Sequence, residues 1–145
     1  MNNNKNIIRI SESGLKSVIY KSVRDVLTEN KYNDDLSTYS LLRKIDTGLN
    51  VDILIDDGGA YEIHNHEIIC FMRNGYNNEK DYIPISISKM PQILINKTLN
   101  VDIKDIQEVF YFIRINYEAL LNMGIDMYDS HEDFYNDIVK IINII

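Results

Sequence analysis

One cysteine, Cys70, is present in 145 residues. No internal disulfide can form, and a reducing compartment is expected. Apolar runs are short: none approaches the ~18 residues that cross a bilayer, so no membrane span or membrane partner is expected. The start, Met1-Asn2-Asn3-Asn4-Lys5-Asn6, leads into only a brief apolar stretch near Ile7, so no signal peptide is expected. GxSxG, a Walker loop, a dinucleotide-type glycine pattern and CxxC are all missing. These absences point away from an enzyme, and no cofactor or catalytic residue is expected.

What is present is the composition of a folded domain, 45% hydrophobic and 26% charged. A chain of this length buries roughly two-thirds of its unfolded surface, so it needs no metal or disulfide to fold. Asn, Ile, Lys and Tyr are abundant, whereas alanine occurs only at Ala60 and Ala119. That bias matches AT-rich codons and points to an AT-rich bacterial or phage genome. Charge is unevenly spread around a net −7. Residues 1–24 carry five basic side chains against one acidic, and residues 101–145 carry three against nine. An acidic body repels phosphate backbones, so non-specific nucleic-acid binding by the body is not expected.

Along the chain, Ile7–Ile10 reads as a short extended lead, and Ser11 as the cap of a helix carrying Leu15, Val18, Ile19, Val23, Val26 and Leu27 at helical spacing. Residues 1–29 therefore read as a lead and amphipathic helix, a candidate arm. A polar linker over 30–37 joins it to a core domain over 36–145. Tyr39–Ile45 is ambiguous. Val51, Ile53 and Ile55 alternate with Asp52 and Leu54, as a strand does. Asp57-Gly58-Gly59 predicts a hairpin onto 60–63. Further strands are expected over 67–73 and 82–88, and past Pro91 over 93–95. Asp102 is expected to cap a helix with the stripe Ile106, Val109, Phe110, Ile113, Tyr117, Leu120 and Leu121, closed by a left-handed Gly124. Ser130 with Asp133 predicts a last helix bearing Phe134, Ile138, Ile141, Ile142 and Ile145. Helix, strands, then two helices argue for an α+β fold: a small antiparallel sheet of about four strands, the N-terminal helix and two C-terminal ones, and a core on one sheet face.

His64, His66 and Cys70 share one strand face by parity, which suits a metal, but they make only three ligands. They are read as a polar strand end followed by a core cysteine, and no metal is expected. Asp56, Asp57, Glu62 and Glu67 lack the lysine two residues after a glutamate that a restriction-type nuclease site carries, and turn chemistry accounts for the aspartates. Ten tyrosines are the richer signal. Exposed tyrosines favour protein interfaces, because the ring is amphipathic and loses little entropy on contact. Tyr76 and Tyr111 are the interface candidates among them, beside the Leu15, Val18 and Val26 stripe.

Ile8-Arg9-Ile10-Ser11-Glu12-Ser13-Gly14-Leu15 through Ser22-Val23-Arg24-Asp25-Val26-Leu27 resembles an N-terminal motif of small uncharacterised proteins of gut Bacteroidetes and their crAss-like phages. Thr47-Gly48-Leu49-Asn50-Val51, Asp57-Gly58-Gly59-Ala60-Tyr61 and Pro84-Ile85-Ser86-Ile87-Ser88 resemble a family of the same genomes. Asn50 stands where that family often has proline, and Ile68–Met72 is apolar where a basic strand is usual. The resemblance implies a phage-related source, hence a location in the virion or the host cytoplasm, and no catalytic residue. Two functions are expected from it and from the tyrosines. The first is a non-enzymatic structural or interaction component of a phage particle, partnered by other virion proteins or by itself. The second is an intracellular regulator or inhibitor that binds a host protein.

Overall fold

The computed structural model describes residues 32, 34–64, 66–76 and 80–141. The expected N-terminal helix, with Leu15, Val18 and Val26, lies outside them, as do Ile142 and Ile145. Four strands, β1 (Ser40–Leu42), β2 (Ile53–Ile55), β3 (Ile69–Arg73) and β4 (Tyr82–Ser86), pair antiparallel in chain order. The helices are α1 (Lys44–Thr47), α2 (Gly59–His64), α3 (Ile103–Ile115), α4 (Tyr117–Gly124) and α5 (His131–Asp137). The fold is α+β. The ambiguous stretch resolves into β1 followed by α1.

Register explains why the central strands are so apolar. Leu41, Leu54, Phe71 and Pro84 form one row across the sheet, and Leu42, Ile53, Met72 and Ile83 form the next, facing the other way. The second row, with Ile55, Cys70 and Ile85, packs against Ile106, Val109, Phe110 and Ile113 of α3, Leu120 and Met123 of α4, and Phe134 of α5. The opposite face is buried too: Leu54, Ile69 and Phe71 cluster with Tyr32, Tyr39 and Leu94. A core on one sheet face was expected; β2 and β3 instead bury both faces. Their runs Ile53-Leu54-Ile55 and Ile69-Cys70-Phe71-Met72 are what a strand covered on both sides requires. The described residues of the expected linker, 32 and 34–37, also join the fold. Tyr32 is buried, Asp34 is hydrogen-bonded, and the Asp35 side chain caps a 3-10 turn at Leu36–Thr38.

The expected hairpin at Asp57-Gly58-Gly59 is corrected. Gly58 does take a positive φ of 110°, and the Asp56 carboxylate accepts from its N–H at 2.8 Å. The turn then opens into α2, and β2 pairs with the longer apolar run of β3. The expected strand over 93–95 reduces to one bridge, Ile93 to Ile85, on the outer side of β4.

Among the C-terminal helices, the expected single stripe is divided at Asn116 into α3 and α4. Gly124 is the last residue of α4, and the left-handed residue is Asp126, φ 61°. Gly124 is needed for a different reason: a Cβ there would lie 2.5 Å from Ile68 Cγ2. Asp102 stands at the start of α3 without a side-chain cap; its N–H donates to the Tyr76 hydroxyl instead. Ser130 accepts from the Asp133 N–H as expected. The last helix stops at Asp137, and Ile138 and Ile141 reach the core from an extended strap, 138–141.

Candidate functional site

The strap and the α3–α4 break make one structure. Asn116 is buried, and its amide donates to the Phe112 and Val139 carbonyls while its Oδ1 accepts from the Val139 N–H at 2.7 Å. A side chain that bonds backbone in this way competes with helix continuation, which accounts for the break. Around it lies an open cleft of about 540 Å³, lined by residues that include Lys89, Arg114, Ile115, Tyr117, Tyr128 and Asp137. The Lys89 ammonium sits 5.8 Å from the centre of the Tyr117 ring, within cation–π range. The Tyr128 hydroxyl donates to Asp137, and burial, then that bond, push its phenol up to about 12. Ile115 in the lining is 39% exposed, and Val139, whose backbone bonds the lining residue Asn116, is 55% exposed.

A second polar cluster lies beyond the other sheet face. The His64 and His66 rings are 6.0 Å apart and nearly parallel. Both face Asp34: His66 Nε2 is 2.8 Å from Oδ2, and His64 Nδ1 is 3.7 Å from Oδ1. The Tyr39 hydroxyl also donates to Asp34 Oδ2. Tyr32 donates to Glu67 Oε2 at 2.6 Å and tilts against the His66 ring. Cys70 does not join them, contrary to the parity argument. Parity holds only along a continuous strand, whereas His64 ends a helix and β3 begins at Ile69. Cys70 points into the main core, where burial pushes its thiol up to about 12. Among the described residues, no group of three or more His, Cys, Asp or Glu is arranged to hold a metal ion.

The candidate tyrosines separate. Tyr76 is 58% exposed, but its hydroxyl is fixed at the start of α3, donating to Asp105 and accepting from the Asp102 N–H. Tyr111 is half-buried on α3, six residues beyond Asp105. At 100° per residue it lies well round the helix from the Tyr76 contact. The structure does not bring the two together. Sequence reasoning missed Asn116 and the cleft beside it; the one signal was a polar residue interrupting the helix between Ile113 and Tyr117. Comparison with protein-family models, with curated proteins and with solved structures gave no match.

Proposed function

We propose that the protein is a non-enzymatic interaction component of a phage particle, which docks a polypeptide segment of another particle protein at the α3–α4 cleft. The observation that carries this reading is a concave surface walled by Tyr117 and Tyr128 with the exposed Ile115 in its lining, and the exposed Val139 held by its backbone to the lining residue Asn116. Exposed apolar groups beside aromatic walls and mixed charges are the composition of a protein interface. The phage setting is supported by the resemblance of the N-terminal and central motifs and by the AT-rich residue bias.

The test is mass spectrometry of purified particles from cells carrying the wild-type chain or an Ile115→Asp/Val139→Asp variant. Both positions are exposed, so the variant should keep its thermal midpoint. The wild-type chain is expected at a fixed ratio to the major particle proteins, and the variant is expected to be lost from particles at least about tenfold, the effect of ~1.4 kcal/mol at an interface. Equal incorporation of the variant would exclude the cleft as the docking surface. Absence of the wild-type chain from particles, with cross-linking to a host protein, would favour the regulator reading.

A further inference from the structure

The cluster of Asp34, His64 and His66 can be read proton by proton. His66 Nδ1 lies 2.6 Å from the Glu67 carbonyl oxygen. A carbonyl only accepts, so Nδ1 carries a hydrogen. His66 Nε2 lies 2.8 Å from Asp34 Oδ2. With Nδ1 already protonated, a neutral ring presents a lone pair at Nε2, and an ionised carboxylate presents another. Two lone pairs at that separation repel, so the contact requires one proton between them, carried either by the ring or by the carboxyl. The neighbouring histidine is assigned in the same way. The Thr38 hydroxyl gives its one hydrogen to the Asp35 carbonyl at 2.7 Å, so at 3.0 Å from His64 Nε2 it accepts, and His64 carries its hydrogen on Nε2.

The geometry points to a proton-held clasp: one proton shared by His66 and Asp34 fastens the segment Tyr32–Tyr39 over the outer face of the sheet, and loss of that proton at rising pH releases the segment. Asp34 belongs to the covering segment, and His66 to the connection between α2 and β3. Beneath the segment lie Leu54, Ile69 and Phe71, with the Tyr39 ring 4.9 Å from that of Phe71. Other titratable groups face the pair. Tyr32, Asp35 and Tyr39 come from the segment itself, His64 from α2 and Glu67 from the connection; Asp56 after β2 and Cys70 on β3 act on Tyr39. The Tyr39 phenol is held far above its ordinary value, first by burial and then by its bond to Asp34, so it keeps its hydrogen throughout. Ser37 donates to the Asp35 carboxyl from its N–H and hydroxyl, which lowers that group, so it stays ionised.

The clasped state holds one proton more than an open state containing ionised Asp34 and neutral His66. Opening releases that proton, so it is favoured as pH rises, by up to about tenfold per pH unit. The inference concerns the sheet face opposite the cleft and does not depend on the docking reading.

The test uses the full chain. Amide hydrogen exchange is measured between about pH 6 and 8, and protection factors are taken after correction for the intrinsic rate. Protection at Thr38 and Tyr39, whose N–H groups bond Asp35 and Leu36, is expected to fall at least about tenfold, while β3 amides stay unchanged. Asp34→Asn supplies an amide N–H to a neutral His66 and should flatten that dependence. Nitrogen-15 NMR of the wild-type imidazole rings and carbon-13 NMR of its aspartate carboxyls, at about pH 6, give a readout that needs no variant. Either both His66 ring nitrogens protonated or a protonated Asp34 is expected. A bare Nε2 facing an ionised Asp34, or protection that does not change with pH, would overturn the proposal.

Discussion

Burial alone pushes the Cys70 thiol up to about 12, so near neutral pH almost none of it is the reactive thiolate. The folded protein at about pH 8 is expected to resist iodoacetamide for hours and to be alkylated completely in denaturant; mass spectrometry of the intact chain reads both. Alkylation of the folded chain at the rate of a free thiol would mean that Cys70 does not face the core. The burial of Cys70 was legible from its apolar neighbours Ile69 and Phe71, and the closeness of His64 and His66 from their spacing. The partner of both histidines was not. Asp34 lies 32 residues before His66, and spacing along a strand says nothing about a carboxylate that reaches them across the fold. Asn116 was equally hidden, because two of its three bonds reach Val139, 23 residues on, in a strap whose Ile138 and Ile141 read as the face of a helix.

Gly48 shows how much one element depends on another. It ends α1 in the left-handed conformation, φ 80°, and a Cβ there would lie 1.9 Å from the Ile141 carbonyl oxygen. The Ile141 N–H donates to the Thr47 carbonyl at 2.7 Å, so the strap is seated directly on this turn. Gly48→Ala is expected to cost roughly 2–4 kcal/mol in urea unfolding, from left-handed strain and backbone overlap. Gly59→Ala is the control: its Cβ would meet nothing nearer than Asp57 Oδ1 at 3.9 Å, and a change below about 0.5 kcal/mol is expected. Equal effects would show that the strap does not rest on α1. Helix and strand types were largely legible, because the stripe from Ile106 to Leu121 and the alternation from Val51 to Ile55 are long enough to fix a period. Gly58 was legible as a turn and not as a hairpin. A turn signal fixes the local backbone, while the partner of β2 was decided by which later segment could bury both faces.

At the scale of the whole molecule, the two-sided sheet and the charge distribution act together. Helices and strap cover one face and the Tyr32–Tyr39 segment the other, so no described strand of the centre is left open to solvent. Recognition then falls to the rim and to charge. Residues 25–145 carry ten basic against twenty-one acidic side chains, and residues 1–24 carry five against one. A polyanion is repelled by the first set and attracted only by the second. Retention of the full chain on heparin or duplex DNA is therefore expected to run through Lys5, Arg9, Lys16, Lys21 and Arg24. Five phosphate contacts at about 0.9 each limit the slope of log K against log salt to roughly −4.5, and any retention should vanish by ~0.15 M salt. Changing Lys16, Lys21 and Arg24 to glutamine should abolish the low-salt binding, with the thermal midpoint measured in parallel to verify folding. A much steeper slope, or binding that survives the three changes in a folded protein, would mean that the acidic body holds a local basic surface, and a nucleic-acid partner would then have to replace the protein partner proposed for the cleft.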